Sequence, residues 1–196
     1  AVLKSVLALF DEAGLEPGIA PELEFFLVKQ SSDANAPLIT PPGRSGRAEK
    51  ARQAYGIDAV NEFDPLFEEI YDHCDVQGLD IDTLSHEAGA AQMEINFNHG
   101  HALDLADQAF LFKRTVRQAA INHHLHATFM AKPMQEQPGS AMHVHVSVKS
   151  KASGNNIFSN DDGSESDDFY HSIAGMQRYL SGAMALMAPY VNSYRR

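Results

Sequence analysis

Residues 139–148 read GSAMHVHVSV, and how this stretch is read decides the fold. Successive side chains of a β-strand point to opposite faces. If the stretch is a strand, His143, His145 and Ser147 share one side, and Met142, Val144, Val146 and Val148 share the other. The apolar side reads as buried. The histidine side is either an ordinary wet face or part of a site, and the choice depends on whether other strands offer matching polar faces.

Two of them do. PELEFFL (21–27) puts Glu22 and Glu24 on one side and Leu23, Phe25 and Leu27 on the other. AAQMEINFN (90–98) puts Gln92, Glu94, Asn96 and Asn98 opposite Met93, Ile95 and Phe97, with Glu87 seven residues before Glu94 across a bend at Gly89. Solvated faces are normal for an antiparallel sheet. These faces, however, carry no Lys or Arg to balance four glutamates. Carboxylates crowded on one face raise each other's pKa, and a divalent cation relieves the repulsion. Carboxylate oxygens with one or two imidazoles suit Mg²⁺ or Mn²⁺, and the lack of a nearby thiolate disfavours structural zinc. On spacing alone, a solvated face and a cation site both remain open.

The rest of the chain sets the frame. Residues 2–13 read as an amphipathic helix closed by Gly14 and Pro17, and 20–29 as a strand. Residues 31–49, rich in Ser, Pro and Gly, read as a mobile loop. Residues 64–74 read as a helix with Asp64 as N-cap and Pro65 in its first turn, ending before Gly78. Strands are expected at 79–87, 90–98, 125–132 and 140–148. Residues 105–124 form the clearest helix, with apolar positions at 105, 109, 112, 116 and 120. Phe110 and Phe112 are both read as core, the acidic run 161–168 as a solvated loop, and 169–188 as a final helix stopped by Pro189. His86 should point away from Glu87 and be structural, and His123, His124 and His126 mark a surface helix end. This order predicts an α+β fold with a largely antiparallel sheet.

Composition narrows the function. With 196 residues, 44% hydrophobic and 21% charged, the chain is globular. Its net charge of −11 argues against a nucleic-acid partner. The single cysteine, Cys74, excludes an internal disulfide and suits a reducing cytoplasm. No apolar run is long enough for a membrane, and no glycine-rich phosphate loop of the G-x-x-x-x-G-K type is present. The opening at Ala1 and the close at NSYRR read as those of a fragment.

PELEFFL, HEAGAAQMEINF (86–97), ATFMAKPM (127–134), GSAMHVHVS (139–147) and NSYRR (192–196), in that order, resemble the catalytic domain of glutamine synthetase. The resemblance covers nearly the whole chain, and implies a curved, mostly antiparallel sheet whose polar concave face binds metal and is backed by helices. It implies that Glu24, Glu87 and Glu94 hold a metal near the substrate carboxylate, and that Glu22 and His143 hold one bridging the ATP phosphates. It places His145 on ATP phosphate, with Ser147 and Asp82 on the nucleotide. It sets Gly139, Glu24 and Arg196 at the substrate glutamate, with Arg196 near the reacting γ-carboxylate as the catalytic residue. The implied chemistry is ATP-dependent phosphorylation of that carboxylate, followed by displacement of phosphate by ammonia. The implied cofactors are two or more Mg²⁺ or Mn²⁺ ions, with ATP as co-substrate. The implied assembly is a cytoplasmic homo-oligomeric ring, in which an N-terminal β domain and a C-terminal part beyond residues 1–196 complete the site, so these residues alone should be inactive. Every ligand position present keeps a ligand-type side chain, which argues against a non-catalytic relative. Several departures, namely Asp82 for the common Glu, Pro138, Ala141 and the seven-residue Glu87–Glu94 spacing, resemble the branch that includes γ-glutamylpolyamine synthetases. They imply putrescine or a similar amine as the alternative acceptor.

Overall fold

The sheet is built on one long strand. In the computed structural model, which describes residues 1–33, 35–50 and 53–178, β1 (Leu15–Lys29) pairs with four other strands. Antiparallel to it run β3 (Gln92–Phe97), β4 (Gly100–His101) and β5 (Leu125–Thr128). It also pairs with β6 (Met142–Ser150), and β2 (Ile81–His86) extends the sheet by pairing antiparallel with β3. The fold is α+β, as expected.

The chain divides into two units, residues 18–146 and residues 1–17 with 147–196. In the larger one, Leu23, Phe25 and Leu27 of β1 and Met93, Ile95 and Phe97 of β3 form one buried layer. Two helices cover it: α3 (Asp64–Gln77) through Leu66, Phe67, Ile70 and Cys74, and α4 (Ala102–Asn122) through Leu105, Ala109, Phe112, Val116 and Ala120. Phe112 meets Phe97 edge to face, with ring centroids 5.3 Å apart. The cross-strand register sets the other face: Glu22 opposes Asn96, Glu24 opposes Glu94, Phe26 opposes Gln92, and Glu94 opposes Ser85 of β2. The smaller unit holds α1 (Val2–Glu12), closed at Gly14 in the left-handed region, with an ion pair between Asp11 and Lys151. Val2, Val6 and Leu9 of α1 are exposed among the described residues.

Several details differ from expectation. β1 starts at Leu15 and runs through Pro17, because a proline that needs no N–H partner is tolerated in a strand. Asp64 does not cap α3. Phe63 is the N-cap, and Asp64, in the first turn, takes Arg44 Nη1 at 2.6 Å. A short helix, α2 (Ile57–Asn61), was not anticipated. Phe110 is 64% exposed, since it lies off the stripe at 105, 109, 112 and 116 that faces the sheet. The described residues leave Met142, Val144 and Val146 on the apolar side of β6 largely open, and only Val148 is buried there. The last helix is described over 167–178, and the remainder expected to Pro189 lies outside the described residues.

The two phenylalanines provide a test. Phe112→Ala should lower the unfolding free energy by about 3–5 kcal/mol. Phe110→Ala should change it by less than about 0.5 kcal/mol. Urea unfolding of the two variants measures both.

Candidate metal and phosphate-transfer site

The polar face of β1, β3 and β6 gathers the predicted ligands. His143 Nδ1 lies 3.2 Å from Glu22 Oε2 and 4.0 Å from Glu24 Oε1, and His145 Nε2 lies 2.8 Å from Glu22 Oε1. Single ligand atoms of Glu22, Glu94 and His143 all fall within 4.8 Å of one another. The strand alternation brings both histidines of β6 to the same glutamate. Glu24 is buried and anchored: its Oε2 accepts from Gln92 Nε2 at 2.9 Å and from the Ala141 amide at 3.0 Å. That leaves Oε1 toward His143.

Electrostatics mark the same place. Burial, and then the charges of Glu22, Glu87 and Glu24, push Glu94 up from 4.5 to about 7, with His143 acting against them. No Lys or Arg is among the charges acting on Glu94. Oxygen donors with one imidazole, and charge left over, are the donor set a hard divalent cation requires. The residues present fit Mg²⁺ or Mn²⁺.

The other predicted residues divide. Glu87 sits on the turn between β2 and β3, its amide bonded to Gln92 O at 2.8 Å and its charge felt by Glu94. Gly139 belongs to the same surroundings: its carbonyl accepts from Gln92 Nε2 at 3.0 Å. A Cβ at Gly139 would stand 2.8 Å from Ala131 O, so the close approach excludes larger residues. Asp82 stands apart. The β2 residue bonded to the polar face is Thr83, whose Oγ1 accepts from Asn96 Nδ2 at 3.1 Å, and the charge of Asp82 acts instead on Tyr71 of α3. Ser147 falls in the smaller unit, on the histidine side of β6 by alternation. Arg196 lies outside the described residues.

His86 is fully buried and stands opposite Met93 of the core in the β2–β3 register. It bonds Glu49 Oε2 through Nε2 at 2.9 Å and the Glu87 carbonyl through Nδ1 at 2.6 Å. Burial alone would lower its pKa, but the hydrogen bond and charge of Glu49, together with those of Glu87, outweigh that and raise it. The sequence reading missed Glu49 entirely, because a lone Glu in a polar loop carries no periodic signal. It also left Gln92 unassigned, although the Q-x-E spacing put that side chain on the site face.

Over residues 1–196 the sequence matches the family described as glutamine synthetase, catalytic domain. The chain belongs to this family. It is 38% identical over 198 residues to gamma-glutamylputrescine synthetase PuuA of Escherichia coli, covering all of this chain and 42% of that protein. It is 36% identical to glutamine synthetase of Halobacterium salinarum, again along its whole length and over 41% of the relative. Among solved structures, GmaS in complex with ADP superposes with a TM-score of 0.79 at 31% identity, over 99% of this chain and 43% of that one. The chain thus spans about two fifths of the length of these family members.

Glu94 predicts a pH dependence for the metal-free protein. In the unfolded chain it gives up its proton near 4.5, whereas in the fold it holds the proton to about 7. Between those values the folded state binds more protons, so stability contributed by this group is full at low pH and falls as pH rises through the window. The melting temperature of metal-stripped protein should drop between pH 5 and pH 8. Glu94→Gln should flatten that slope, and Mn²⁺ at pH 8 should restore the midpoint. Differential scanning fluorimetry across pH, with and without Mn²⁺, reads all three.

Proposed function

We propose that the protein containing this chain is an ATP-dependent glutamate–amine ligase, with Glu22, Glu24, Glu87, Glu94 and His143 holding Mg²⁺ or Mn²⁺. The observation that carries this reading is the meeting of Glu22, Glu94 and His143 within 4.8 Å, on a face where Glu94 is pushed up to about 7. A carboxylate is a poor electrophile. Transfer of the ATP γ-phosphoryl to the glutamate γ-carboxylate makes an acyl phosphate, and the amine nitrogen then attacks its carbonyl carbon and expels phosphate. Bound divalent cations would neutralise the charge on the transferring phosphoryl oxygens.

The chain's own residues orient the partners. Gln92 and the Ala141 amide clamp one oxygen of Glu24, so the other keeps a fixed direction. Glu22 takes Nε2 of His145 and holds that ring on the same side as His143, from where it is suited to donate to a phosphate oxygen. Ser147 and Asp82 are assigned to the nucleotide, and Gly139 and Arg196 to glutamate, with Arg196 at the γ-carboxylate. The resemblance to glutamine synthetase adds a ring oligomer as the active form.

Ammonia is the acceptor of the reading stated first. A second reading, putrescine or a similar amine, is favoured by Asp82, Pro138, Ala141 and the seven-residue Glu87–Glu94 spacing, together with the 38% identity to gamma-glutamylputrescine synthetase.

Two measurements on the full-length enzyme test these statements. Glu94→Ala should cut glutamate-dependent phosphate release by roughly 100-fold or more, given that even residues behind a metal's direct ligands are worth about 10–100-fold. Intact activity would remove the site. Phosphate release with ammonia against putrescine at matched concentrations separates the acceptors: a strong preference for ammonia leaves glutamine synthesis, and faster release with putrescine establishes the second reading.

A further inference from the structure

Glu49 lies on the long segment between β1 and α2, yet its side chain is only 7% exposed. Its Oε2 accepts from His86 Nε2 at 2.9 Å and from the Ala91 amide at 2.7 Å. Those two donors bracket the turn that carries Glu87. The chain of contacts continues through the imidazole, because His86 Nδ1 bonds the carbonyl of Glu87 itself at 2.6 Å. The turn is not a relaxed one: Ala91 sits in the left-handed region at φ 54°, a conformation that non-glycine residues adopt at a cost and that tends to cluster at functional sites. A second clasp comes from the same segment. The Tyr55 amide bonds the His86 carbonyl at 2.8 Å, with Tyr55 also left-handed at φ 61°.

Glu49 is also poorly satisfied. Its Oε1 is buried with no hydrogen-bond partner among the described residues. A half-satisfied buried carboxylate weakens a fold, so its presence points to a task other than stability. The task lies at the other end of the contact chain. Glu22, Glu24 and Glu94 stand on paired strands whose ladders fix them. Glu87 stands on the turn, after the last residue of β2, where its amide still bonds Gln92 O at 2.8 Å but its side chain takes only the neighbouring Ala88 amide at 3.2 Å among the described residues.

We propose that Glu49 is a positioning residue for the reaction, its carboxylate acting through His86 and Ala91 to hold the 86–91 turn and so aim Glu87 at the cation it shares with Glu94. The inference rests on the ligase reading for its effect on turnover, but not for its effect on metal binding. Loss of this hold leaves the sheet intact and lets Glu87 wander.

The test uses full-length enzyme carrying Glu49→Gln, which keeps the size and one acceptor oxygen but removes the charge. Mn²⁺ affinity of the metal-stripped protein, by calorimetry, should fall about 10–100-fold, the range for residues that orient a metal's direct ligands. The value of kcat at saturating Mn²⁺, ATP and glutamate should fall by a similar factor, with KM for ATP little changed. The double variant Glu49→Gln/His86→Gln should be no worse than the poorer single one, because the two side chains form one chain of contacts. Wild-type Mn²⁺ affinity and kcat in folded Glu49→Gln enzyme would overturn the proposal. If that variant does not fold, Glu49→Asp, which keeps the charge but draws it back by one methylene, decides in its place: unchanged affinity and kcat there overturn the proposal too. If wild-type enzyme shows no glutamate-dependent phosphate release, the ligase reading fails, while the Mn²⁺ affinities still judge Glu49.

Discussion

Glu24 and Glu94 face each other across the β1–β3 ladder, and the structure is organised around that opposition. Like charges directly opposed on neighbouring strands destabilise a sheet. Burial first, and then the charges of Glu22 one pleat away, Glu87 on the turn and Glu24 opposite, are why Glu94 holds its proton to about 7. The neighbours are what make this tolerable. Gln92 and the Ala141 amide absorb one oxygen of Glu24, and His143 and His145 both lean on Glu22. What remains is an excess of oxygen donors aimed at one spot.

The compensation comes from the other face of the same strands. Leu23, Phe25 and Leu27 alternate with Glu22 and Glu24, and Met93, Ile95 and Phe97 alternate with Glu94 and Asn96. Each large apolar side chain buried there is worth about 1.5–3 kcal/mol. The two faces therefore enforce one register. A slip by one residue would carry the glutamates into the packing of α3 and α4 and expose the phenylalanines. The core fixes where the carboxylates stand, and the penalty of misplacing a carboxylate protects the register of the core.

That coupling explains what was legible in the sequence. Alternation with a period of two is visible in PELEFFL, AAQMEINFN and MHVHVSV, so the strands, their polar sides and the pairing of glutamates with histidines followed directly. The stripe of α4 was legible for the same reason, and Phe110, aromatic but off that stripe, is exposed. Contacts made at long range were not legible. Glu49 and His86 are separated by 37 positions, and Gln137 Oε1 reaches the Ala90 amide from 47 positions away. Neither contact has a period, and each starts from a residue outside the expected helices and strands, Glu49 in the 31–49 loop and Gln137 between the strands expected at 125–132 and 140–148. In β2 the period itself gives out: the register is irregular between Ile81 and Leu84, and the residue bonded to Asn96 on the polar side is Thr83.

The carboxylates are therefore of two kinds. Glu22, Glu24 and Glu94 are set by backbone ladders, and moving them requires breaking sheet. Glu87 is set by the four residues that link it to Gln92, held by the Gln92 side chain on the Gly89 amide at 2.9 Å and the Gln137 side chain on the Ala90 amide at 3.1 Å. Gly89 is confined there, since a Cβ would stand 2.7 Å from the Phe26 ring. A chain that must keep its sheet but alter the space beside Glu87 has one place to do so cheaply. That place is the turn, where adding or removing a residue shifts Glu87 and leaves the Glu24–Glu94 pairing untouched. The seven-residue spacing from Glu87 to Glu94 is thus the local variable on which the geometry around Glu87 turns, while the ladder supplies the constant part of the site.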